Sequence, residues 1–136
     1  MIGLSSSLST LPSFIAYFAG GALLVGLFVF LYVNATPQRD FALIRAGNSA
    51  AAIALSGGLL GFVLPLASVI AHSASFLDLV VWGVIALLIQ LGGFLAARLI
   101  LPHLPRAIEE GNLADATFLA GLSVSLGILN AACMSG

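Results

Sequence analysis

Four long apolar runs limit what this chain can fold into more than any other feature of its sequence. A bilayer core about 30 Å thick requires roughly 20 apolar residues at the helical rise of 1.5 Å per residue. Only 7% of the residues are charged, whereas a soluble domain carries about a quarter, so a water-facing surface cannot be built. The sequence therefore predicts an all-α membrane protein with four transmembrane helices, which we place at residues 11–33, 49–71, 79–101 and 116–133.

Charge and cysteine content exclude several classes of function. The chain has four arginines, no lysine and a formal net charge of -1, whereas nucleic-acid binding requires clustered basic residues that neutralise phosphates. The single cysteine, Cys133, cannot close a disulfide within the chain, and no Cys/His group has the spacing of a zinc site. We therefore expect the lipid bilayer as the main partner, with no cofactor, no metal and no nucleic acid.

The two halves of the chain align with each other at a shift of 64 residues without a gap. Chance matches of Leu and Ala are common in apolar sequence, but a Gly-Asn pair also recurs in register, as Gly47-Asn48 and Gly111-Asn112. Each half contains two spans, so both copies enter the membrane from the same side. The sequence predicts two tandem, parallel-topology two-helix repeats, residues 1–72 and 73–136.

The repeated Gly-Asn pair has two interpretations. Asn is a favoured residue at the N-cap of a helix, and both Asn48 and Asn112 stand directly before an apolar span. The alternative is functional, with the two amide side chains forming a polar ring or site near one membrane face. The sequence favours the helix cap and leaves the polar site open.

Arginine is distributed unevenly among the links between the spans. All four arginines fall in or beside the first and third links, where we also expect short interfacial helices near residues 39–46 and 104–110. Short loops rich in arginine stay in the cytoplasm, so both termini are predicted to be periplasmic. The arginines that carry this prediction are Arg39, Arg45, Arg98 and Arg106.

Residues 47–55, which read GNSAAAIAL, are followed by Gly61-Phe62 and Pro65-Leu66. With the second Gly-Asn pair at 111–112, this pattern resembles the bacterial domain of unknown function 350, a family that includes YjfL-like inner membrane proteins. The resemblance covers essentially the whole chain and implies a bacterial inner-membrane location, with duplicated pairs of transmembrane segments. It implies no catalytic residue and no substrate. The second copy departs after Gly121, so a role tied to Pro65 is not duplicated.

Polar side chains within the spans are few, and each one is a candidate because burying it in lipid is costly. Gln90 lies near the middle of the third span, where a hydrogen bond to a neighbouring helix is a commoner role than a transport site. Arg98 can reach the interface, or it can pair with Asp115 at the start of the fourth span. The candidate polar or lining residues are Asn48, Gln90, Arg98, Asn112, Asp115 and Asn130.

Small residues recur at four-residue spacing in several spans, which lets helix backbones approach closely. Gly57, Gly61, Gly93 and Gly127 are the predicted helix-packing glycines. There are more of these small-residue faces than two hairpins need for packing against each other. We therefore predict a homo-oligomer.

These observations favour a small oligomeric membrane protein without enzymatic activity. It would serve as a pore, a scaffold or a component of an envelope complex, with other envelope proteins as further partners. The alternative is a small secondary transporter in which Asp115 couples transport to protons. An intramembrane enzyme is less favoured, because the spans offer no nucleophile and base at matching depths.

Overall fold

The protein is described by a computed structural model that covers residues 8–35 and 40–134. Arg39 and Pro37 of the first link, and both chain ends, lie outside these described residues. Four of the helices in the described part are long and apolar enough to cross a membrane. The helices are α1 (Leu11–Ala35), α2 (Asp40–Arg45), α3 (Ser49–His72), α4 (Phe76–Ile100), α5 (Leu104–Glu109) and α6 (Leu113–Met134).

The four long apolar helices are confirmed, and short helices occur at both places where the sequence predicted them, but α4 and α6 begin about a turn before the predicted apolar runs. Ser75 caps α4 by accepting a hydrogen bond from the Asp78 N–H at 3.2 Å, and Asp78 accepts one from the Ala74 N–H at 3.1 Å. Asn112 caps α6 by accepting a bond from the Asp115 N–H at 3.2 Å. A carboxylate in the first turn stabilises a helix. Asp78 and Asp115 therefore lie inside their helices, and the apolar run alone predicted each helix start too late.

The contact between α3 and α6 is the most extensive in the bundle, and it brings the two backbones together. A Cβ atom added at Gly57 would collide with the Ala120 backbone, and one added at Gly61 would collide with the Ser123 backbone. Further along, the Ser68 hydroxyl donates to the Ala131 carbonyl at 3.3 Å. Because contact partners advance together along both helices, α3 and α6 run parallel.

The helices α1 and α4 complete the bundle. The α1 helix packs on α3 and α4, while α4 also packs on α3 and α6. Aromatic rings fill the space between α1, α3 and α4, where Phe28 stacks on Phe62 at a centroid distance of 4.9 Å and Tyr32 lies 4.5 Å from Phe94. The outward faces are apolar, as a surface in lipid requires, and they include Phe14, Phe18, Leu23, Leu88, Leu99 and Leu129.

The predicted packing glycines all pack within the chain. Gly57 and Gly61 contact α6, Gly127 contacts the Gly61 backbone, and Gly93 faces the Leu126 side chain. The number of small faces therefore no longer argues for self-association, because the contact between α3 and α6 uses three of these glycines. Sequence alone could not assign partners to the faces, since glycine spacing is the same for internal and external contacts.

Replacing Gly57 by alanine tests the contact between α3 and α6. We expect Gly57→Ala to destabilise the protein by about 1–3 kcal/mol, because the added methyl group overpacks against a backbone that cannot move aside. The matched control is Gly92→Ala, where no atom lies within 4 Å of the added Cβ; alanine there should be neutral or stabilising by up to about 1 kcal/mol. Reversible unfolding in mixed micelles, followed by the fluorescence of the single tryptophan, Trp82, measures both. Equal stability changes would contradict the packing described.

Candidate functional site

The two Gly-Asn pairs form turns with the same hydrogen bonds. Gly47 and Gly111 have φ values of +88° and +80°, a left-handed conformation that glycine adopts without a steric penalty. Each glycine donates to the carbonyl three residues earlier at 3.0 Å, and each following Asn donates to the carbonyl five residues earlier at 2.9 Å. Each turn thus ends an interfacial helix and begins a span, at positions 64 residues apart.

Asn48 and Asn112 both cap helices, but Asn48 has an additional role. Its Oδ1 accepts a hydrogen bond from the Ala51 N–H at 3.0 Å, which caps α3. Its Nδ2 donates to the carbonyls of Ile108 and Glu109 at 2.9 and 3.3 Å. Asn48 therefore ties the start of α3 to the end of α5, across the two halves of the chain. Both amides act as structural groups at these turns.

Two of the predicted polar residues join α4 to α6 inside the bundle. Gln90 is 3% exposed, and its Nε2 donates to the Ser123 carbonyl at 2.8 Å. Asn130 is 5% exposed, and its Nδ2 donates to the Ala86 carbonyl at 3.4 Å. Both hold helices together, as the sequence favoured for Gln90. The Oε1 of Gln90, however, is buried and has no hydrogen-bond partner.

Asp115 lies beside a residue that the sequence did not suggest. Its carboxylate is 3.6 Å from the His103 ring, which precedes α5, whereas the sequence suggested Arg98 as its partner. Arg98 is half-buried in the last turn of α4. Asp115 remains partly exposed, with 27% of its side chain accessible, and it lies in the first turn of α6. It is therefore at the rim of the bundle and not at mid-membrane depth.

At the opposite end of the bundle, polar residues line an open cavity of about 280 Å³ whose lining includes His72, Asp78, Trp82 and Cys133. These groups are engaged with the backbone: His72 Nδ1 lies 2.8 Å from the Ser68 carbonyl oxygen, and Asp78 accepts from the Ala74 N–H. Within residues 8–35 and 40–134, no cluster of three or more His, Cys, Asp or Glu side chains could hold a metal ion.

Sequence reasoning missed the most deeply buried polar residues of the bundle. Asp40, the first residue of α2, is 0% exposed, and Tyr32 of α1 is 1% exposed. The Tyr32 hydroxyl has no hydrogen-bond partner. The internal alignment held a signal, because Asp40 falls on Leu104, which is also buried. A charge in place of a buried leucine marks a site where the two halves differ.

Four apolar helices with neutral polar groups between them define a small multi-pass α-helical membrane protein. The family model for Domain of Unknown Function (DUF350) matches residues 6–134, and the chain belongs to this family. It is 42% identical over 128 residues to UPF0719 inner membrane protein YjfL of Escherichia coli (strain K12), covering 94% of this chain and 97% of that relative. The protein of the same name from Escherichia coli O157:H7 matches equally. These matches and the four spans place the protein in the inner membrane, and no solved structure matches it.

Comparing Asn48→Ala with Asn112→Ala tests the unequal roles of the two turns. Loss of a cap costs about 1 kcal/mol, so we expect this loss for Asn112→Ala. Asn48→Ala also removes the bonds to the end of α5, and we expect about 1 kcal/mol more. Unfolding in mixed micelles measures both variants. Equal losses would show that the bonds between α3 and α5 contribute nothing to stability.

Proposed function

We propose that this protein is a non-enzymatic structural subunit of an inner-membrane assembly. The observation that carries the proposal is the contact of α3 and α6, whose backbones meet at Gly57, Gly61 and Gly127. Ion flow along the middle of a bundle requires a wetted path, and backbone contact leaves no room for one there. A pore would therefore have to form along the axis of an oligomer. A structural subunit needs only its lipid-facing sides, through which it contacts other proteins.

We further propose that the chain is a tandem duplication of one two-helix unit, with repeats 1–72 and 73–136. The support is the recurrence of the turn hydrogen bonds at a separation of 64 residues. The parallel course of α3 and α6, which pairs Gly57 with Ala120 and Ser68 with Ala131, agrees with copies that enter the membrane in the same direction. The two-fold relation about the membrane normal follows from that direction.

The partners that we propose are a second copy of the chain and other envelope proteins. With the packing glycines used internally, the support for self-association comes from α6, whose outward side remains uncovered although α6 is central to the fold. Phe118 and Leu129 on that side are 55% and 64% exposed, and Gly121 between them has no atom near its Cβ position. A helix of another chain can pack closely against this side of α6, because Gly121 has no side chain to keep the two backbones apart.

We propose that both termini are periplasmic. Arg45, Arg98 and Arg106 belong to α2, the last turn of α4 and α5, which lie at the same end of the bundle. An end rich in arginine stays in the cytoplasm. The start of α1 and the end of α6 lie at the other end.

A small secondary transporter is the second candidate, with Asp115 as the coupling residue. A carboxylate that carries protons across a membrane must exchange between the two sides, which favours a position within the spans. Asp115 instead lies at the rim, beside His103, in a helix start. The position of Asp115 in the structure therefore gives weaker support to a proton-coupled transporter than its position in the sequence did.

Purified protein in liposomes distinguishes the candidate functions. For a structural subunit, we expect neither ion conductance nor pH-driven uptake of lipophilic cations above protein-free vesicles. Asp115→Asn should behave like the wild type, because a structural subunit moves no proton through this carboxylate. Uptake that Asp115→Asn abolishes would establish the transporter, and conductance that this substitution leaves unchanged would establish a pore.

Labelling at Cys133 tests orientation and assembly together. Cys133 is exposed in the last turn of α6, so we expect a membrane-impermeant maleimide to label it in spheroplasts. The matched control combines Cys133→Ser with Glu110→Cys, an exposed position beside α5 that should react only after lysis. The reverse result would invert the topology. A bis-maleimide should also trap a covalent dimer through Cys133; monomer alone, at complete labelling, would contradict a second copy along α6.

A further inference from the structure

A cavity of about 230 Å³ lies between α4 and α6, within the membrane-spanning part of the bundle. Its lining is mostly apolar. The lining residues Phe94, Ala97 and Leu119 are buried, whereas Leu122 and Ile100 are exposed on the outer surface of the bundle. Since the outer surface of the spans faces lipid, this cavity is open to molecules dissolved in the bilayer.

One side chain of the cavity lining has an unused hydrogen-bond acceptor. Gln90 lines the cavity and is 3% exposed, and its Nε2 donates to the Ser123 carbonyl at 2.8 Å. A carbonyl oxygen can only accept, so the amide must turn its nitrogen toward Ser123 and its oxygen away from it. This oxygen, Oε1, is buried and has no partner. Buried polar atoms are normally paired, and leaving one unpaired is costly. The site therefore lacks one donor.

The unused acceptor lies at the deep end of the cavity. Gln90 is the lining residue of α4 farthest from Ile100, about 15 Å away along the axis at 1.5 Å per residue. Among the described residues that line the cavity, Gln90 and Ser123 are the polar ones, and the Ser123 carbonyl already accepts from Gln90. A buried water molecule requires two to four polar partners. An apolar molecule that carries its own donor therefore suits this site better than water does.

The chemistry of the lining narrows the class of this molecule. An acyl chain of a bilayer lipid fills apolar space but brings no donor to Gln90 Oε1. A hydroxyl on an aromatic ring brings both, and a phenolic hydroxyl is more acidic than that of an alkanol, so it donates the stronger bond. An apolar protein cavity of about 150 Å³ binds a benzene ring. A cavity of about 230 Å³ therefore has room for one ring with its substituents.

We propose that the cavity between α4 and α6 binds a lipid-soluble phenol, the chemistry of a reduced quinone, whose hydroxyl donates to Gln90 Oε1. The ring occupies the cavity, and an apolar tail leaves past Leu122 and Ile100 into the lipid. Binding makes a hydrogen bond and breaks no covalent bond. The site goes beyond the structural role proposed above. Its test reads binding alone, so its failure leaves that structural role unaffected.

Binding of para-decylphenol to the full chain in lipid nanodiscs tests this proposal. The matched probe is para-decylanisole, which has the same apolar body but no donor. We expect the phenol to bind about tenfold more tightly, because only the phenol satisfies the buried acceptor. Competition against radiolabelled para-decylphenol, with empty nanodiscs as the blank, measures both affinities. Equal affinities, no binding above the blank, or equally tight binding of a decyl alkanol would overturn the proposal.

Gln90→Met removes the acceptor and keeps the length of the side chain. We expect the phenol to lose about tenfold in affinity and the anisole to be unaffected, so that the two probes bind equally. Asn130→Leu is the matched control, because Asn130 also joins α4 to α6, through the Ala86 carbonyl, but does not line the cavity. This variant should keep the preference for the phenol. A preference that survives Gln90→Met would overturn the role of this amide.

Ala96→Phe provides a second reading that leaves Gln90 in place. Ala96 lines the cavity, and a phenyl group there fills the space that the ligand needs, so we expect at least a tenfold loss of affinity for both probes. Leu95→Phe is the control, because Leu95 is exposed and lies outside the lining; its affinities should match the wild type. Undiminished binding to Ala96→Phe would place the ligand elsewhere. Circular dichroism and gel filtration establish that each variant is folded.

Discussion

The backbone contact between α3 and α6 is the constraint on which the rest of the bundle depends. Lipid offers no hydrophobic force to hold apolar helices together, so their association relies on dispersion contacts between surfaces that fit. Glycines at 57, 61 and 127 remove the side chains that would keep the two helices apart. The α1 and α4 helices then pack beside this pair, and the aromatic layer of Phe28, Phe62 and Phe94 fills the space that remains.

The two Gly-Asn turns match each other, whereas interior residues 64 positions apart differ. The backbone hydrogen bonds of the two Gly-Asn turns are the same, because the same local sequence makes the same turn. Inside the bundle, Asp40 stands where the other half has Leu104, and Gln90 stands where the first half has Gly26. Each of these two polar side chains therefore occurs in one half of the chain only.

The two carboxylates near the arginine-rich end of the bundle lie in different surroundings. The Asp115 carboxylate lies at the rim, in the first turn of α6 and 3.6 Å from the His103 ring. Asp40, by contrast, is fully buried at the start of α2. A buried carboxylate depends on partners within the protein, whereas a carboxylate at the rim can be solvated by water.

The sequence by itself determined the membrane class, the number of spans, the interfacial helices and the family. Each follows from local properties, namely the length of an apolar run, a glycine with its cap, and motif spacing. Tertiary structure decided which faces meet, and so assigned the packing glycines to internal contacts and His103 to Asp115. It also revealed that Asp40 is fully buried, because burial depends on helices distant in sequence. Hydropathy describes a residue's preference for lipid, but only packing determines which polar side chains are enclosed.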